Sequence, residues 1–146
     1  MQSGRFGKYI AVLHRQEQKY INRVMKRYGL GYSCYNFLLY LSRNEGVSQK
    51  ALCRDMVIDE ALAARAMKKL EGQGYVRRDK KEGGRTYQLF LTEKGHALIP
   101  ALRAAVAGWW QTLTAGWDET QRAWLMAELP VMAAKAGEMI DAIEEG

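Results

Sequence analysis

Apolar residues recur at helical spacing over both ends of the chain, and strand-like runs occur only near its middle. At the start, Phe6, Ile10, Leu13, Tyr20, Val24 and Tyr28 predict one long helix, which Gly29-Leu30-Gly31 interrupts. A second helix is expected over 33–43, with Tyr35, Leu38, Leu39 and Leu41 among its apolar positions and Asn44-Glu45-Gly46 closing it. The third, over 48–56, has Ser48 placed as its cap and Leu52 and Met56 spaced to face inward. After Val57-Ile58, Asp59 caps a fourth helix over 60–73. Leu62, Ala66 and Leu70 should form its buried side, while Ala61, Ala64, Arg65, Lys68 and Lys69 fall largely on its other faces and Gly74 ends it.

Two runs, 75–78 and 86–91, then read as strands around the loop 79–85, where Gly83-Gly84 permits a tight reversal. Thr92 is placed to cap a fifth helix reaching about residue 115, and Asp118 with Gln121 forms a capping-box pattern that opens a sixth. Pro100 and Pro130 fall inside these helices, and each removes a backbone hydrogen bond, so bends are expected there.

A short helix, a basic helix and a hairpin with a basic tip, in that order, are the layout of a winged helix-turn-helix. The expected fold class is mainly α, with long flanking dimerisation helices and one small β-hairpin wing. Residues 1–32 would supply an N-terminal dimerisation helix, 33–95 the DNA-binding region and 96–146 the C-terminal dimerisation helices, all in a single intertwined domain. Trp109, Trp110, Trp117 and Trp124 lie in the last two helices and carry more aromatic surface than two helices bury alone. A partner surface is implied, most simply a second copy of the chain.

Charge sharpens this picture. The 146 residues carry a net charge of +6, distributed as 8 basic and 2 acidic side chains over 1–46, 11 and 7 over 47–95, and 3 and 7 over 96–146. The first two segments suit a polyanion, because each phosphate neutralised by Lys or Arg releases condensed counterions. A protein-binding winged helix would use the same elements but present apolar anchors. Residues 65–85 instead hold 8 basic against 3 acidic side chains, which favours DNA.

Other classes find little support. No apolar run approaches the ~20 residues that span a bilayer, and the first residues lack the apolar core of a signal peptide, so a cytoplasmic protein with no membrane partner is expected. Cys34 and Cys53 lack metal or disulfide spacing, and the two histidines, His14 and His96, are far apart in the chain. Neither a cofactor nor an enzymatic constellation of base, nucleophile or metal is visible.

Several short motifs occur in an informative order: Gly29-Leu30, the leucines from Leu38 to Leu41, Ser48-Gln49, Asp59, Leu70-Glu71-Gly72-Gln73-Gly74-Tyr75-Val76-Arg77-Arg78, Arg85, and Leu91-Thr92-Glu93-Lys94-Gly95. In that order and spacing the chain resembles the MarR family of bacterial regulators over nearly its whole length. One position departs: the wing aspartate that partners the wing arginine in the family is Gly83 here, with Glu82 as the adjacent substitute.

The resemblance implies a homodimer whose first, fifth and sixth helices interlock and whose winged regions enter successive major grooves of a pseudo-palindromic double-stranded operator. Arg65 would contact guanine, because a guanidinium donates two hydrogen bonds to one base edge, and Ala61 and Ala64 would touch thymine methyls. Ser48, Gln49, Arg54, Lys68 and Lys69 would serve as phosphate contacts, and Lys80, Lys81 and Arg85 would act from the wing. Many family members are repressors released by phenolic or other aromatic compounds held between the dimerisation helices and the winged region. His14, Tyr32, Tyr35, Phe37 and Trp109 are the candidate lining here, with core or dimer interface as the competing reading of each. A thiol-based response through Cys34 or Cys53 is the other alternative, against which buried, inert thiols are favoured.

Overall fold

Side-chain caps set the start of both central helices. In the computed structural model, which describes residues 3–146, the Ser48 hydroxyl accepts from the Ala51 amide at 3.1 Å and the Asp59 carboxylate from the Leu62 amide at 3.0 Å. These bonds satisfy amides that a helix's first turn otherwise leaves open. They begin α3 (Gln49–Met56) and α4 (Glu60–Gly72). Before them come α1 (Ser3–Met25), a single 3-10 turn (Lys26–Tyr28) and α2 (Tyr32–Arg43); after them come β1 (Val76–Lys80), β2 (Tyr87–Leu91), α5 (Glu93–Leu113) and α6 (Glu119–Glu145).

The strands form one antiparallel hairpin with Val76 opposite Leu91 and Lys80 opposite Tyr87. Its first strand runs two residues past the expected end because Asp79 and Lys80 still find partners in Gln88 and Tyr87. Val47 adds a bridge to Leu89, with the Leu89 amide donating to the Val47 carbonyl at 2.8 Å, and this ties the start of the winged region to the hairpin.

The motif Leu91-Thr92-Glu93-Lys94-Gly95 is the seam that locks β2 to α5. Thr92 donates its hydroxyl to the Gly74 carbonyl at 2.6 Å, accepts from the Gly95 amide at 3.1 Å, and sends its own amide to the Tyr75 carbonyl at 3.0 Å. Gly95 lies so close to Tyr75 that any Cβ there would collide with the Tyr75 carbonyl oxygen.

Two compact units are present, residues 1–108 and 109–146. In the first, Ile21, Met25, Phe37, Leu38, Leu41, Leu52, Met67, Leu70, Leu89 and Leu102 are almost wholly excluded from solvent. Each such side chain contributes on the order of 1.5–3 kcal/mol relative to exposure. The second unit contains the end of α5 and all of α6, whose start carries the full capping box between Asp118 and Gln121. Arg122 donates to the Thr114 hydroxyl at 3.3 Å and to its carbonyl at 3.2 Å, bracing the turn between these helices. Both helices continue unbroken through Pro100 and Pro130.

One expectation about a buried face is corrected. In α4, Leu62 is 37% exposed, and the inward residues are Ala63, Ala66, Met67 and Leu70. Positions four apart advance about 40° round a helix, so Leu62 lies roughly 80° from Leu70 and leaves the buried arc that Ala63 and Met67 fill. In α1, Ile21 and Met25 anchor the helix to the core, while Phe6, Ile10 and Leu13 are exposed in the single chain.

Candidate nucleic-acid interface

With Ala63, Ala66, Met67 and Leu70 turned inward, α4 presents Ala61, Ala64, Arg65 and Lys68 to solvent. Its 13 residues give a rod of about 20 Å, and B-DNA's major groove, about 12 Å wide, admits such a rod. Lys69 is exposed on one flank, where with Leu62 and Arg65 it borders α1 and α2 across a cleft of about 420 Å³.

On α3, Ser48 is occupied as the helix cap and Gln49 accepts from Arg78 at 3.0 Å, while Arg54 is exposed and pairs with Asp55 at 3.5 Å. Asp55 in turn accepts from the Tyr40 hydroxyl at 2.7 Å, which holds the Asp55 carboxyl below its ordinary pKa. Partial burial and this acceptor push the Tyr40 phenol up to about 12.

Arg78 was not singled out from the sequence, yet it is the bracket of the reading head. Its guanidinium donates to Glu71 of α4 at 2.9 Å and to Gln49 of α3 at 3.0 Å, joining both helices to β1. Glu71 and Arg78 stand seven residues apart on either side of the turn, and only the folded hairpin brings them together.

At the hairpin tip Lys80, Lys81 and Arg85 are exposed. Gly83 adopts φ 71°, a left-handed conformation that disfavours a side chain, so the turn itself accounts for glycine at this position. Asp79 pairs with Arg77, whose guanidinium also lies 4.6 Å above the Phe90 ring. Arg77 thus stiffens the wing's stem while the cations at its tip stay open to solvent.

Three of the five aromatic candidates, His14, Tyr32 and Tyr35, meet in one cluster. His14 meets Tyr32 edge-on with ring centres 5.7 Å apart, and Tyr32 lies 5.8 Å from Tyr35 and donates its hydroxyl to Glu17 at 3.2 Å. Tyr35 and Phe37 are buried members of the first unit's core, and Trp109 belongs to the second unit. Burial raises the pKa of both Cys34 and Cys53, and Cys34 directs its thiol to the Ala66 carbonyl at 3.9 Å. Protonated, enclosed thiols are poor redox sensors.

A capped basic helix facing outward, braced to a neighbouring helix and a basic hairpin, defines a winged helix-turn-helix DNA-binding protein. The MarR family model matches residues 28–86. The crystal structure of a MarR transcriptional regulator from Methanosarcina mazei Go1 is 34% identical, superposes with a TM-score of 0.89, and is matched over 95% of this chain and 94% of its own. The chain therefore belongs to the MarR family of DNA-binding transcriptional regulators, which are not enzymes.

Among curated relatives, the HTH-type transcriptional regulator BilQ of Clostridioides difficile is 23% identical over 124 residues, 84% of each chain. A MarR-family regulator of Listeria monocytogenes, solved in complex with a 26mer DNA, shares the fold at 24% identity and a TM-score of 0.87, over 95% of this chain and 93% of its own. Among the described residues, no helix is long and apolar enough to cross a membrane.

Proposed function

We propose that the protein is a homodimeric, sequence-specific repressor that reads a pseudo-palindromic operator in the cytoplasm and is released by a small aromatic or phenolic ligand. The outward face of α4 carries this reading: Arg65 stands between two alanines and Lys68 with no carboxylate beside it on that face. In this arrangement Arg65 addresses guanine, Ala61 and Ala64 leave room for thymine methyls, and Lys68, Arg54 and the wing's Lys80, Lys81 and Arg85 meet phosphates. The Listeria monocytogenes relative solved with a 26mer DNA supports DNA as the ligand.

A second copy is the partner we assign to the long helices. On α6, Leu125, Leu129, Met132, Met139 and Ile143 form one apolar stripe, and α6 contains no buried residue. The exposed Phe6, Ile10 and Leu13 on α1 offer a complementary surface. Charge agrees, since α1 bears five basic and one acidic side chain and α6 six acidic and two basic. Two copies related by a twofold axis satisfy both faces at once and supply two reading heads for a symmetric site. For the ligand, His14 and the neighbouring Tyr32 and Tyr35 supply aromatic walls with imidazole and phenol groups.

The test is an anisotropy titration of labelled promoter fragments from the protein's own gene region at several salt concentrations. Tight binding to an inverted repeat with half-site centres about 10 base pairs apart, weakening steeply with salt, is expected. Equal affinity for scrambled duplexes would remove sequence-specific reading, and binding with one chain per site would remove the dimer.

A further inference from the structure

Successive residues of a helix turn by about 100°, and on that wheel every cation of α1 falls on one side. Arg15, Lys19 and Arg23 follow one another at four-residue steps within an arc of roughly 80°, and Lys26 continues the line as the 3-10 turn begins. From Arg15 to Lys26 the row is about 16 Å long. All four side chains are exposed, and among the described residues none of them pairs with a carboxylate.

The rest of the helix turns away from this row. Phe6, Ile10 and Leu13 lie roughly 120–180° round from it, as do the anchoring Ile21 and Met25. Glu17, the single acid of α1, is also on the far side and accepts from the Tyr32 hydroxyl at 3.2 Å. A second copy seated on the exposed apolar face would therefore leave the row open. Beside the four cations stand Gln16, Asn22 and, one turn before Arg15, Val12, which offer none of the aromatic anchors typical of a protein partner's seat.

The row also has a definite place beside α4. Gln18 and Asn22, between the row and the buried side of α1, border the cleft whose other wall carries Arg65 and Lys69. The cations of α1 thus adjoin a flank of the helix assigned to the major groove, and such flanks face the sugar-phosphate walls. A duplex carries one negative charge about every 1.7 Å of its axis. A rigid line of cations matches that continuous line of charge, whereas a small anion would engage only one of them.

We infer that Arg15, Lys19, Arg23 and Lys26 are a second DNA contact, a track for the sugar-phosphate backbone beside the groove that α4 enters. It adds affinity and no sequence preference. This rests on duplex DNA as the ligand and on α4 as the reading helix.

The test compares the full chain with a variant carrying Arg15→Gln, Lys19→Gln, Arg23→Gln and Lys26→Gln, and with each change made singly. Each is titrated at several chloride concentrations against a duplex that carries the inverted repeat with its natural flanks, and against a scrambled duplex of equal length. Lys135→Gln on α6 removes a charge elsewhere and controls for net charge. Each single change should lower the salt exponent by about 0.9 per protomer, and the four together by up to about 3.6, with both duplexes weakened by the same factor.

An unchanged exponent in the fourfold variant would overturn the track and leave the row to an acidic partner other than DNA. A fall that Lys135→Gln reproduces would overturn it as well, as an effect of net charge alone. So would a change in the ratio of the two affinities, which would make the row a reader of sequence. Arg65→Ala marks the other failure: if sequence preference survives it, α4 is not the reading helix, whatever the exponent does in the row variants. Thermal unfolding of each variant confirms that it is folded.

Discussion

α4 and α6 are both helices with many apolar residues, yet they are held in different ways. α4 turns Ala63, Ala66, Met67 and Leu70 into its own unit and excludes all four from solvent, while α6, at 27 residues, buries none. Propensity does not separate them, since both are rich in good helix formers. What differs is the source of cover: α4 is completed by neighbours in its own chain, whereas the stripe on α6 is exposed and would be covered by a second copy in the proposed dimer. Stability of the reading head should therefore be a property of one chain, and stability of the long helices a property of concentration.

A matched pair of substitutions puts this contrast at risk. Met67→Ala, at a site with no exposure, should cost about 2–5 kcal/mol at any protein concentration, read by chemical denaturation. Met132→Ala, at a site 55% exposed in the single chain, should cost less than about 0.5 kcal/mol in dilute protein. If the stripe is covered by a second copy, its cost should grow with concentration and sedimentation should shift toward monomer. A cost independent of concentration at both sites would erase the distinction.

The next effect is smaller and concerns the bracket within the reading head. Arg78→Ala removes the bonds to Glu71 and Gln49; because the side chain is 30% exposed, the expected cost is about 1 kcal/mol. DNA affinity should fall further than stability does, since the wing and α4 lose their fixed relation. An affinity change no larger than the change in folding free energy would show that Arg78 supports only the fold.

Val57 sharpens the same comparison from the opposite direction. It is the one non-glycine residue with positive φ among those described, at 53°, and it is 90% exposed in the turn between α3 and α4. A β-branched residue is strained in that conformation, so Val57→Gly should raise stability by up to about 1 kcal/mol after the entropic cost of glycine, measured as a higher unfolding midpoint. A lower midpoint would mean that the valine side chain makes a stabilising contact outweighing its backbone strain.

The smallest expected effect is a pH dependence. The Tyr40 phenol is raised from 10.0 to about 12 in the folded chain, so its hydrogen bond to Asp55 helps below pH 10 and is lost as pH rises through 12. The fall in melting temperature between those values should be shallower in Tyr40→Phe. An identical profile in the variant would assign the alkaline transition to other groups.

The order of helices and the hairpin were legible in the sequence because caps and turn residues act locally. Ser48, Asp59 and the Asp118 to Gln121 box all make the bonds their positions imply. Rotation of the helices was harder to read. The inward side of α4 depends on where its neighbours lie, and alanine at position 63 gives a weak apolar signal although it is fully buried. The exposed cations of α4 and the hairpin tip were visible from their charge, but the bracket made by Arg78 was not, because its role depends on a strand folding back against two helices. The cleft was invisible for the same reason: Gln18, Ser33 and Lys69 are far apart in sequence and meet only through packing.

The bracket made by Arg78 has a kinetic meaning. With α3, α4 and the hairpin tied through one guanidinium, the head should reach DNA already assembled, with no ordering step within it to delay capture. An effector then has little to gain by reshaping a head. On the proposed dimer, its leverage would lie in how often two finished heads reach their half-sites together, so release should appear as faster departure from the full site, while a single half-site is read as before.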